Sequence, residues 1–238
     1  MNLDVLVFAA HPDDAELSMG GTIAKLTSHN HKVGIIDLTR GELGTRGDAG
    51  TRKGETLKAS SILKITLREN LEIPDGNIQR TKENLYKIIS AIRKYKPGII
   101  FAPYFNDRHP DHIDTSKLVK KAMFASGLPK IVTTENKVEQ VAYRPLKLFY
   151  YMQTYTFEPT FIIDISKYFK TKMGAIKAYS TQFYDPESSE PETFISDPKF
   201  LDYIESRAKF YGFQIRKHYG EPFFCEEDIE LDLSSYLK

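Results

Sequence analysis

Two short runs gather residue types that bind metals and move protons. They are His11-Pro12-Asp13-Asp14-Ala15-Glu16 and, far downstream, Asp107-Arg108-His109-Pro110-Asp111-His112. Of the 6 histidines, His11, His109 and His112 fall in these runs and His29, His31 and His218 outside them. A catalytic zinc takes three protein ligands from His, Asp or Glu and keeps a fourth position for water. His11, Asp14 and His112 supply such a His₂Asp set, which also suits Fe²⁺. Asp13, beside a ligand, is left to take a proton from water whose pKa zinc lowers to about 7. His109 is expected to be cationic, stabilising or protonating what develops opposite the water, and Asp111 to hydrogen-bond it and hold its tautomer. Asp and Pro also make turns, and Asp14 taken alone fits a helix N-cap. Two such runs, each after a buried strand, favour chemistry over turn-making. His29 and His31 in a polar turn, and His218 beside Lys217, read as solvated; Cys225, with no neighbouring histidine, reads as an inert small side chain.

The surrounding pattern says what must position these residues. Residues 5–10 form a continuous apolar run, as expected of a strand covered on both faces. Residues 14–26 read as a helix, 33–38 as a strand, 51–65 as a helix and 66–73 as a short strand ending at Pro74-Asp75-Gly76. Leu85, Ile88, Ile89 and Ile92 follow the spacing of an amphipathic helix that stops before Pro97. A strand at 98–102 and a helix at 114–125 follow, with later strands at 146–152 and 161–165. Ser166 is placed to cap a helix to about residue 180. Residues 184–197 read as a surface loop that could close over substrate, 198–211 as the last helix, and the rest as an irregular acidic tail. Alternating strands and helices predict an α/β fold: a single Rossmann-like domain with a mostly parallel sheet flanked by helices. In such sheets ligands bind at the carboxyl ends of strands, so both His/Asp runs are expected to face one cleft there.

Composition narrows the function. A chain of 238 residues, 41% hydrophobic and 27% charged, fits one soluble domain, 1–238. A net charge of +1 lacks the basic excess of a nucleic-acid binder. One cysteine excludes an intrachain disulfide and a cysteine zinc finger, and points to the cytoplasm. No apolar stretch reaches the ~20 residues of a membrane span, and the N-terminus reads as a strand rather than an export signal. The Gly-rich segment 41–54 lacks the Gly-x-Gly-x-x-Gly spacing, so a nucleotide cofactor is not expected. It reads as a mobile rim over the cleft, with Glu42 contacting substrate or the metal's surroundings. A phosphoester hydrolase is a rival, but it usually needs a second metal and more carboxylates. A non-catalytic binding protein would need neither Asp13 nor His109.

The Ala10-His-Pro-Asp-Asp-Ala-Glu16 run and the distant His109-Pro-Asp-His112 resemble the zinc-dependent N-acetylglucosamine deacetylases of the PIG-L/LmbE family. Segments 38–47, 69–76, 107–112, 178–184 and 219–221 resemble its bacillithiol-biosynthesis branch, which deacetylates N-acetylglucosaminyl malate. The resemblance implies zinc on His11, Asp14 and His112, Asp13 as base, and His109 as oxyanion stabiliser and proton donor, oriented by Asp111. It also implies that Arg52 and Arg108 meet the malate carboxylates. Arg46 and Lys53 lie near enough to join them, since Arg matches a carboxylate with two hydrogen bonds. Related bacterial members assemble as homo-oligomers, often hexamers. Deacetylases of other N-acetylglucosamine conjugates, of chitobiose type or glycolipid precursors, are the nearest alternative. Met19 and Pro222 depart from the branch pattern without touching the zinc motif.

Overall fold

In chain order, β1 (Val5–Ala9) leads through α1 (Asp14–Ser28) to β2 (Val33–Asp37), α2 (Ala49–Leu63), β3 (Leu67–Asn70), α3 (Lys82–Tyr95), β4 (Ile99–Pro103) and α4 (Pro110–Ser126). A small hairpin, β5 (Thr134–Glu135) and β6 (Val138–Glu139), precedes β7 (Lys147–Tyr151), β8 (Phe161–Asp164) and α5 (Phe169–Ile176). A 3₁₀ turn (Phe194–Ser196), α6 (Phe200–Gln214) and β9 (Gly220–Phe224) complete it. This computed structural model describes residues 1–232. The end of the expected acidic tail, 233–238, lies outside the described residues.

The main sheet has the order β3-β2-β1-β4-β7-β9-β8. Its first five strands run parallel, and β9 is antiparallel to both β7 and β8. The chain winds outward from β1 to β2 and β3, then returns to start the other half at β4. The strand order therefore reverses between β1 and β4, which pair from Val5↔Ile99 to Val7↔Phe101. A reversal of that kind opens a crevice beyond the strand ends, and both His/Asp runs follow these two strands.

Strand alternation divides the interior between the two faces of the sheet. Val5, Val7 and Ala9 pack with Leu17, Ile23, Leu63 and Ala175 from α1, α2 and α5. Leu6, Phe8 and Ala10 pack with Ile88, Ile92, Leu118 and Ala122 from α3 and α4. Each large apolar side chain among them, fully removed from water, contributes about 1.5–3 kcal/mol. Among the described residues no helix is long and apolar enough to cross a membrane.

Three differences from the sequence expectation have physical causes. α4 starts at Pro110 rather than at 114, because proline is well suited to the first helical position and His109 caps it: the His109 ring accepts the Asp111 N–H. Ser166 does not cap α5; its hydroxyl and N–H both donate to Asp164, and the helix spans only Phe169–Ile176. β9 lies in the expected irregular tail, its pattern masked by Gly220-Glu221-Pro222. Pro222 is tolerated inside the sheet because the β7 ladder stops at Tyr151↔Phe223, one residue short of it.

Candidate metal centre

β1 ends in a sharp turn that separates two neighbouring carboxylates. Asp13 adopts φ 115°, a left-handed conformation costly for a residue with a Cβ, and α1 starts at the next residue. Asp14 turns back: one carboxylate oxygen accepts the His11 N–H at 2.9 Å and lies 3.5 Å from His11 Nδ1, and the other lies 3.2 Å from His112 Nε2. Asp13 points elsewhere, 3.5 Å from the Arg52 guanidinium. The plain N-cap role does not fall to Asp14, since Asp13 holds that position and its side chain makes no capping bond.

Ligand atoms of His11, Asp14 and His112 all lie within 4.8 Å of one another. Two ligands of a tetrahedral zinc at about 2.0–2.1 Å stand roughly 3.3 Å apart, close to the spacings of Asp14 from the two rings. Each ring also gives its other nitrogen to a carboxylate. His11 Nε2 donates to Asp75 at 3.0 Å, and His112 Nδ1 donates to Asp107 at 2.8 Å. Such outer carboxylates set which nitrogen remains free for a metal. The chain's residues thus fit zinc. His11, His109 and Asp111 form a second close group, but its Asp111 carboxylate is already occupied by the Gly76 N–H at 2.8 Å and by His11 Nε2 at 3.4 Å.

Charge follows from this packing. Burial alone would push His11 down, but its hydrogen bonds to Asp111, Asp14 and Asp75 hold it well above the ordinary histidine range. Burial likewise opposes protonation of His112, and the Asp14 charge with the Asp107 bond lifts it to about 9. Asp13 is raised to about 7, first by burial, with Arg52 pulling the other way. His109 is lowered by burial and then by the two neighbouring imidazoles, so the expected cationic ring is instead disposed to be neutral. Because His109 Nδ1 accepts the Asp111 N–H at 3.2 Å, its proton sits on Nε2. The expected orienting contact therefore exists, but the Asp111 backbone makes it; the Asp111 carboxylate serves His11.

The centre opens into a cavity of about 430 Å³ lined by Asp13, His109 and Arg108 beside the ligands. Arg52 lines it too, with its guanidinium packed against Gly41, where a Cβ would collide with it. Two expected substrate contacts stand outside the lining. Arg46 is buried, donating to the Phe183 carbonyl at 3.1 Å and lying 3.6 Å from Glu190. Glu42 is exposed and accepts the Arg40 and Asp75 N–H groups, tying the rim together. Lys53 faces a separate cavity behind Arg52. Within the 184–197 loop, Glu190 accepts the Gly47 N–H at 2.8 Å, and Thr193 to Ile195 form cavity wall.

Several residues that line the cavity or hold the ligand rings escaped the sequence reading: Asp75, Asp107, Gln153, Tyr203 and Arg207. Asp107, two residues before His109, and the Pro74-Asp75-Gly76 turn after a short strand carried the only available signals. Below the centre, α1 bends at Met19 (φ −135°), which is fully buried. The Gly21 and Thr22 N–H groups there donate to Glu221 at 3.0 and 2.7 Å. The carbonyls four residues back, Leu17 and Ser18, accept from Arg207 at 3.2 Å and Lys172 at 3.4 Å. Lys172 and Glu221 form a buried pair at 2.6 Å.

A doubly wound sheet whose switch point holds a zinc-type ligand set beside a spare carboxylate is the layout of a metal-assisted hydrolase. The PIG-L family model, GlcNAc-PI de-N-acetylase, matches residues 6–123, and the chain belongs to the PIG-L deacetylase family. It is 29% identical over 232 residues to a diacetylchitobiose deacetylase of Thermococcus kodakarensis, covering 91% of this chain and 80% of that one. It is 25% identical to the 1D-myo-inositol 2-acetamido-2-deoxy-alpha-D-glucopyranoside deacetylase of Actinosynnema mirum, covering 75% and 80%. The crystal structure of the conserved protein TT1542 from Thermus thermophilus superposes with a TM-score of 0.86 at 34% identity, covering 97% of each chain.

Proposed function

We propose that this protein is a zinc-dependent hydrolase of the acetamide of N-acetylglucosaminyl malate, releasing acetate and glucosaminyl malate in bacillithiol biosynthesis. The observation that carries the hydrolytic part is the convergence of His11, Asp14 and His112 with Asp13 left unligated beside them. Two relatives named for deacetylating different N-acetylglucosamine-type compounds support the sugar amide as the common element. The malate part rests on the resemblance of the chain's motifs and on Arg108 lining the cavity.

When bound, zinc polarises the amide carbonyl and lowers the pKa of its water to about 7. Asp13, itself raised to about 7, takes the proton from the attacking water. Arg52 holds the Asp13 carboxylate in place and keeps burial from protonating it outright. The developing oxyanion faces His109, whose Nε2–H is fixed by the bond at Nδ1. An amide nitrogen leaves only once protonated, and the proton now on Asp13 supplies it, while the neutral His109 ring donates its Nε2–H to the oxyanion as a hydrogen bond. Acetate release from N-acetylglucosaminyl malate, measured on chelated and zinc-restored protein, tests the proposal. Zinc-dependent release is expected; release from diacetylchitobiose but not from the malate conjugate would move the assignment to the chitobiose type.

A further inference from the structure

The cavity lining holds two chemically different sets of residues. Its acids, Asp13, Asp14 and Asp75, gather at the metal centre, while a second set is aromatic and cationic. Phe194, Phe200 and Tyr203 stand in a row, with ring centroids 5.7 and 6.3 Å apart. A guanidinium lies on each end of the row: Arg108 is 4.4 Å from the Phe194 centroid, and Arg207 is 5.6 Å from that of Tyr203. All five side chains line the cavity. Among the described residues neither arginine has an acidic side chain within ion-pair distance, whereas Arg52 and Arg46 face Asp13 and Glu190. Arg207 is only half-buried and spends two N–H groups on the Gln153 and Leu17 carbonyls, at 2.5 and 3.2 Å. A guanidinium carries five, so three remain to offer.

We propose that Arg207 is a further specificity-determining residue of this site, offering its remaining N–H groups to a carboxylate on the substrate's aglycone, so that sugar conjugates bearing carboxylates are selected over neutral ones. This rests on the deacetylase reading above and specifies which groups on the substrate are recognised. Arg207 takes the place that sequence reasoning gave to Arg46, and its two backbone bonds fix the fork in position, which favours a planar anion over a loosely held one. A purely structural reading is available, since Arg207 also satisfies the Leu17 carbonyl at the bend of α1. The two readings separate by substrate charge.

The test compares kcat/KM for N-acetylglucosaminyl malate and for its uncharged dimethyl ester, using zinc-loaded enzyme. The unaltered enzyme is expected to favour the charged conjugate by about tenfold or more, since one charge-assisted contact is worth about 10- to 100-fold. Arg207→Gln should remove most of that ratio. Arg207→Lys keeps the charge and should recover part of it, and serves alone if the Gln variant does not fold. A drop that is equal for both substrates, with the ratio intact, would make Arg207 a structural residue and overturn the proposal. Equal use of both substrates by the unaltered enzyme would overturn it while leaving the deacetylase reading standing. Acetate release from neither would remove both.

Discussion

Replacing Asp107 by Asn separates the metal's outer support from its direct ligands. One oxygen of this buried carboxylate accepts from His112 Nδ1 at 2.8 Å and the His109 N–H at 3.1 Å. The other accepts from the Thr154 and Tyr155 N–H groups at 2.8 and 3.2 Å. An Asn amide has a single acceptor oxygen, so whichever way it turns, one pair of donors meets an NH₂. Turned to spare the backbone pair, it offers a donor to His112 Nδ1, which shifts the ring proton to Nε2, the atom that faces Asp14 and the metal. Loss of an outer-shell carboxylate costs about 10- to 100-fold in metal affinity, about 1.4–2.7 kcal/mol. Donors left unsatisfied on burial cost about 1–3 kcal/mol each, a large share of a typical stability of about 5–15 kcal/mol. Zinc affinity by chelator competition, with melting of chelated and loaded protein, reads both effects. If Asp107→Asn binds zinc within about twofold of the unaltered protein, against the tenfold minimum expected of a lost outer carboxylate, the reasoning about the His112 tautomer is wrong.

Other expectations are as direct. Asp13→Asn should lower kcat by about 10²–10⁴ while zinc stays bound, checked by turnover and metal content on the same sample. Zinc affinity should rise with pH up to about 9, because protons on His112 and on the strongly raised His11 compete with the ion; titration calorimetry in two buffers of different ionisation heat would show the released protons. Burial alone would raise Asp107, but its hydrogen bonds, from His112 first, hold it at about 2. With a folded value below the usual 3.8, its stabilisation is full above about pH 4 and lost as pH falls through about 2, so acid melting of metal-free Asp107→Asn should be flatter across that window. Lys172→Met strands a buried Glu221 charge and should cost about 3–5 kcal/mol, read as a fall in Tm.

The candidate metal group was legible because few residue types bind zinc, and each run followed an apolar strand whose carboxyl end was expected to face a common cleft. The sheet order adds what alternation did not specify: β1 and β4 are neighbours, so His11 and His112 follow adjacent strand ends. Arg46 and Glu42 were misplaced for the opposite reason: a charged residue in a Gly-rich loop gives no sign of the direction its side chain takes. The Arg46 partners, Phe183 and Glu190, come from a segment that reaches the rim only through the tertiary fold. Arg207 was hidden within a helix pattern that reads as an ordinary amphipathic surface. β9 was missed because its buried Glu221 and its Pro222 both argue against a strand until the bend in α1 shows what Glu221 receives.

That bend links the strain at Asp13 to the rest of the interior. Asp13 at φ 115° holds a conformation costing about 1–3 kcal/mol, and only a firmly placed first turn of α1 can keep it there. A straight α1 would satisfy its own backbone and have no backbone groups to offer the far half of the sheet, leaving side-chain contacts such as Lys25 on the Asp164 carbonyl and the shared apolar cluster. Bent at Met19, it opens two N–H groups and two carbonyls, which are met by Glu221 of β9, Lys172 of α5 and Arg207 of α6. Each of those elements belongs to the second half of the chain. At its other end Glu16 is bound by Arg68, which also grips Asp37 with two bonds at 2.7 and 2.9 Å, joining β2 and β3 to the same helix. The strained turn is thus clamped from both halves of the sheet, and its carboxylates diverge, one toward the imidazoles and one toward Arg52.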